Sequence, residues 1–232
     1  VRHDAPDWLR NLVVDAAYEV EVGPSSVRAI LCKLLLESPD PGNWSAPNID
    51  SEVRWLLRKA PWFCVYDLIE SIYLELNAKP LAFQKANTAE QFSDAINLIF
   101  RKKGVGWQLT EGRIQVRGAE IFEESVREAV TLTEESGRLV ARNELKEALR
   151  DLSRRPEPEI TGSIQHSMAA LECVAKDLTG DTKLTLGDWL KKNSNAFPQP
   201  IGSAIDKLWG YASQYGRHVQ EGKPADFSEA EL

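Results

Sequence analysis

The chain has 232 residues, 43% of them hydrophobic and 27% charged, with a net charge of −7. That balance suits a globular protein with a real core, and the acidity excludes broad sequence-independent binding to nucleic acid or to an anionic membrane. The acidity is uneven, however. Residues 1–136 hold 15 Lys/Arg against 21 Asp/Glu, and residues 137–232 hold 13 against 14, so a polyanion would be met in the second half.

In chain order, apolar residues recur at helical spacing almost throughout. Trp8, Leu9, Leu12, Val13, Ala16, Ala17 and Val20 form one stripe, opened by Asp4 and Pro6 and closed at Gly23. A second helix is expected over 24–38, and "SPDPGNWSAPN" (38–48) is a loop by composition. Residues 50–60 and 61–76 predict two further helices, with Asp50 at the start of one and Pro61 in the first turn of the other. Thr88 and Gln91 form a capping-box pattern ahead of a helix over 88–104, with Gly104 ending it. The cations Arg101, Lys102 and Lys103 in its last turn answer the helix dipole better than they would bind phosphate.

"GWQLTEGRIQVRG" (106–118) breaks the pattern. Apolar residues alternate there on either side of Thr110-Glu111-Gly112, which predicts a short β-hairpin. Such a hairpin is either a DNA-binding wing or a cover for the helices, and the acidity of this half favours a cover. Helices are then expected over 119–136, 138–155, 163–180, 185–194 and 200–216. Gly137 separates the first two, and "PEPEITG" (156–162) is a Pro-rich joint. Ser228 and Glu231 form a further capping-box pattern, so another helix is expected to begin where this sequence stops. The expected fold is therefore all-α with one small hairpin, in two domains over 1–137 and 138–232.

Cys32, Cys64 and Cys173 lie far apart in apolar surroundings and read as buried free thiols of a reducing compartment. No metal-binding spacing occurs, and no cofactor fingerprint, so neither metal nor cofactor is expected. The N-terminus does not read as a signal peptide and no apolar run is long enough to span a bilayer, so a cytoplasmic protein without a membrane partner is expected.

Chemistry concentrates in "QYGRHVQEG" (214–222). Only three histidines occur in the chain, and His218 follows Arg217 directly, between Gly216 and Gly222. A turn permitted by the glycines lets adjacent side chains converge. Arg217 would hold phosphate, His218 would move a proton near neutral pH, and Glu221 would orient either one. The other reading is helix punctuation, with the histidine as a cap and the arginine in a surface ion pair. His166 lies on helical spacing with Ala169, Ala170 and Cys173, and reads either as a core-edge histidine or as a member of that site. Glu172, on the same helix, is a candidate partner for Arg217.

The run "ITGSIQHSMAALECVAKDLTGDTKLTLGDWLKKN" followed by "PQPIGSAIDKLWGYASQYGRHVQEGKPADFSEAEL" resembles the C-terminal HEPN-type domain of AbiJ-type abortive-infection proteins. "DAPDWLRNLVVDAAYEV", "WLLRKAPWFCVYDLIESIYLEL" and the "GWQLTEGRIQV" hairpin resemble the accessory domain fused to such domains. The resemblance implies a helical bundle that forms a homodimer and, in active members, cuts RNA, tRNA included, without metal during anti-phage defence. It implies Arg217 and His218 as the catalytic pair, in a tighter spacing than the family's usual one. It also leaves room for a non-catalytic dimer binding RNA, nucleotide or protein, and for a regulatory role in which the N-terminal domain recognises a phage or regulatory protein.

Overall fold

The computed structural model describes residues 3–78, 87–193, 197–198 and 200–215. Among the described residues the elements are ten helices and one antiparallel hairpin: the protein is mainly α-helical. The contacts divide it into two compact units, 1–117 and 118–232.

The first unit holds α1 (Asp7–Glu19), α2 (Pro24–Leu35), α3 (Ala46–Lys59), α4 (Trp62–Ala78), α5 (Thr88–Lys103), β1 (Trp107–Thr110) and β2 (Arg113–Val116). Each helix turns one apolar stripe inward, so Leu9, Val13, Leu31, Leu57, Tyr66, Ile69, Phe92 and Phe100 are all fully buried. Trp62, Tyr66 and Trp107 stack and tilt against one another with ring centroids 5.7 to 6.5 Å apart, joining α4 to the hairpin.

The hairpin pairs Trp107 with Val116 and Leu109 with Ile114. Glu111 (φ 49°) and Gly112 (φ 78°) both take left-handed backbone, the turn whose twist matches the strands. Gly112 has a second reason to be glycine, because a Cβ there would lie 2.7 Å from the Tyr73 ring. Asn97 on α5 clamps β1 at both backbone groups of one residue, accepting from Leu109 N and donating to Leu109 O, each at 2.8 Å. Glu70 on α4 accepts from Ile114 N at 2.7 Å. With Trp107, Leu109 and Ile114 buried and the backbone tied to two helices, the hairpin covers α4 and α5.

One helix start and one helix cap differ from expectation. Helix α3 begins at Ala46, so Asp50 lies inside it and bonds Tyr18 and Arg54 instead of capping. Asn87, in left-handed backbone, is the N-cap of α5, and no capping box forms: the buried Thr88 hydroxyl has no partner among the described residues. Helix α1 also ends before Gly23, through left-handed Glu21. Gly104 ends α5 as expected, with Val105 N bonding back to Phe100 O at 2.9 Å.

The second unit holds α6 (Glu120–Glu135), α7 (Leu139–Leu152), α8 (Ile160–Thr179), α9 (Leu186–Lys192) and α10 (Ile201–Tyr215). Gly137 (φ 73°) breaks α6 from α7, but the division of the chain falls ahead of α6, because α6 packs on α7. The Pro-rich stretch after α7 is no domain joint. It is the bend of an α7–α8 hairpin, the most closely packed helix pair among the described residues, and α8 begins inside it at Ile160. A small core of Ala175, Leu184, Leu186, Trp189 and Leu190 gathers α8 and α9, with Ile205 and Trp209 of α10 packed on it. The apolar residues of α10 are thus split, since Ile201 and Leu208 stay exposed.

Candidate functional site

Arg217, His218 and Glu221 lie outside the described residues, as do Ser228 and Glu231. His166 and Glu172 are described, and both sit on α8. They are six positions apart, so the helix points them about 120° away from each other.

His166 looks toward α7. Its Nδ1 lies 2.7 Å from Glu144 Oε2, and since a carboxylate only accepts, Nδ1–H is the donor. Its Nε2 lies 3.6 Å from Asp151 Oδ2. Glu144 and Asp151 are seven residues apart on α7, two turns along one face, so the imidazole is bracketed from both sides. Asp151 is buried and its other oxygen meets Arg154 Nη2 at 3.1 Å. Gly162 makes this approach feasible: a Cβ at that position would collide with the Asp151 carboxylate. Cys173, two turns beyond His166, is a half-buried thiol pushed up by burial and by the charge of Glu144. Burial likewise pushes up Cys32 and Cys64, which disfavours the thiolate form of all three free thiols.

Glu172 serves a different neighbour. Its Oε1 accepts from Lys176 Nζ at 2.8 Å, and its Oε2 lies 3.5 Å from Leu186 N, the first residue of α9. Thr185 caps the same helix by accepting from Asp188 N at 3.1 Å. Glu172 therefore ties α8 to the start of α9.

A histidine oriented by a carboxylate has the geometry of a general base. With Asp151 facing the second nitrogen, though, His166 joins α7 to α8 first and would have to turn from Asp151 to reach a substrate. Sequence reading missed Glu144 and Asp151. The available signal was their spacing around Ala141 and Ala148, the two buried alanines of α7, which puts both acids beside its packed face. Among the described residues, no group of three His, Cys, Asp or Glu side chains could hold a metal ion. No described helix is long and apolar enough to cross a membrane.

A family model described as AbiJ N-terminal domain 4 matches residues 1–132. The chain belongs to this family. The AbiJ match takes in the whole first unit and most of α6, and residues 133–232 lie beyond it. No curated protein and no solved structure matches the chain. AbiJ membership gives the chain an abortive-infection context.

Proposed function

We propose that this AbiJ-type chain acts in bacterial anti-phage defence as a metal-independent endoribonuclease, a toxin whose helical second unit is HEPN-like and cuts RNA, tRNA included. The observation that carries the reading is a family match over 1–132 followed by a helical unit whose last described helix, α10, ends at Tyr215, immediately before Gly216-Arg217-His218 in the sequence.

In this mechanism His218 takes the proton of a ribose 2′-hydroxyl. The 2′-oxygen attacks the adjacent phosphorus, Arg217 holds the charge that builds on the phosphoryl oxygens, and the bond to the 5′-oxygen breaks as that oxygen takes a proton from water, while His218 returns its own proton to solvent. The products are a 2′,3′-cyclic phosphate and a 5′-hydroxyl, and no metal takes part. Glu221 orients the pair. A homodimer through the second unit brings two copies of it together, and the first unit recognises the trigger, a phage or regulatory protein.

A second reading, a non-catalytic dimer that binds RNA, nucleotide or protein, draws support from two observations. Arg217 and His218 are adjacent, tighter than the resemblance implies, and His166 is engaged by Glu144. Incubating the purified chain with total RNA and tRNA in EDTA, beside an Arg217→Ala/His218→Ala variant, separates the two. Cleavage by the wild type alone supports the nuclease; binding without cleavage supports the second reading.

A further inference from the structure

Leu36 and Trp44 are the most exposed large hydrophobic side chains described, at 93% and 83% exposure. They stand at either end of the α2–α3 loop, and that loop is built to hold still. Glu52, reaching back from α3 with 7% exposure, accepts from Asp40 N at 2.7 Å, from Arg28 Nη1 at 3.0 Å and from Asn43 Nδ2 at 3.1 Å. Arg28 also donates to Asn43 O at 2.9 Å. Asp40 accepts from Gly42 N at 2.8 Å, closing a turn, and Pro39 and Pro41 remove further backbone freedom.

Leu36 is doubly out of place. It takes left-handed backbone (φ 56°) at the end of α2, where Glu37 N bonds back to Cys32 O at 3.0 Å, a position that favours glycine. Its side chain gains nothing from this unit in return. Strained backbone and an unburied apolar side chain together point to an interaction made outside the unit.

Charge identifies the partner's chemistry. Residues 34–53 carry four acidic side chains and no Lys or Arg, with Lys33 and Arg54 at the margins. Glu52 is spent on Arg28, and Asp50 on Tyr18 and Arg54. Glu37 and Asp40 remain exposed between the two apolar side chains. That arrangement repels RNA and anionic lipid. We infer that the 36–44 loop is a preorganised docking element for a partner protein, one that offers an apolar cleft rimmed by Lys and Arg. Its rigidity lowers the ordering cost of binding, and its two apolar side chains serve as anchors.

The test titrates the whole chain against three labelled peptides read by fluorescence anisotropy: a repeating Leu-Lys-Lys-Leu sequence, its Ser-Lys-Lys-Ser counterpart and its Leu-Glu-Glu-Leu counterpart. Saturable binding is expected for the Leu/Lys peptide alone, weakened at least about tenfold by Leu36→Ser/Trp44→Ser and at least about threefold by Glu37→Gln/Asp40→Asn. Both pairs are exposed, so circular dichroism should be unchanged. Absence of saturable binding, or affinity indifferent to the Leu36/Trp44 pair, overturns the inference. Self-association, or binding of an RNA oligonucleotide or anionic vesicles, that the serine pair abolishes also overturns it.

Discussion

Glu144 and His166 meet across the α7–α8 hairpin at 2.7 Å, and this contact, with Asp151 on the far side of the ring, makes His166 a fastener between helices. Both side chains are partly exposed, so solvent weakens the pairing. His166→Ala should cost about 1 kcal/mol in urea unfolding of the second unit and leave RNA cleavage by Arg217 and His218 intact. Loss of cleavage with unchanged stability would return His166 to the catalytic site.

Gly162 should resist substitution for a reason that helix propensity runs against. Alanine in a helix normally gains about 1 kcal/mol over glycine. Here the added Cβ would run into Asp151, so Gly162→Ala should cost about 1–3 kcal/mol. In an Asp151→Ala background the same change should become neutral or stabilising. A double-mutant cycle by chemical denaturation checks this, and additive effects would remove Asp151 as the cause.

How far these features were legible in the sequence follows from their range. The helices and the hairpin announce themselves through local periodicity, and Gly104, Gly112 and Gly137 through the left-handed backbone they occupy. The start of α5 at Thr88 was legible but its cap was misjudged, because Thr88–Gln91 has the right spacing for a capping box while Asn87 takes the cap, one residue earlier. His166 could be placed on α8 and at a packing edge. Its partners could not be foreseen, since Glu144 is 22 residues away and reaches it only through the α7–α8 bend. The α7–α8 bend itself looked like a domain joint because prolines punctuate a hairpin loop and a linker alike. Leu36 gave no sign, because a leucine ending an apolar run reads as core until burial is known.

Glu52 should make stability acid-sensitive. Burial alone would push its carboxyl up, but hydrogen bonds from Asp40 N, Arg28 and Asn43 and the Arg28 charge outweigh it and leave the group below the ordinary range. A carboxyl depressed on folding contributes stability above the unfolded value, near 4.3, and loses it as pH falls through the lower folded value. Glu52→Gln should therefore cost about 2–3 kcal/mol at neutral pH, where it leaves Arg28 without its charge partner. The gap between wild type and variant should close as pH is lowered through and below 4. Thermal unfolding at a series of pH values would show it, and a gap that stays constant down to pH 2 would assign the cost to shape alone.

Leu36 offers the sharpest separation of stability from recognition. A left-handed residue with a β-carbon costs roughly 1–2 kcal/mol, and asparagine bears that conformation better than leucine. Glycine bears it best but adds disorder to the unfolded chain, which offsets part of the gain. Leu36→Asn should therefore raise stability by about 0.5–1 kcal/mol, visible as a higher midpoint in urea at unchanged slope. The same variant should bind the Leu/Lys peptide more weakly, because one of the two apolar anchors is gone. A residue kept for packing would do the opposite, losing stability when replaced. If Leu36→Asn unfolds more easily than the wild type, Leu36 is buried in solution and the docking role of the 36–44 loop fails with it.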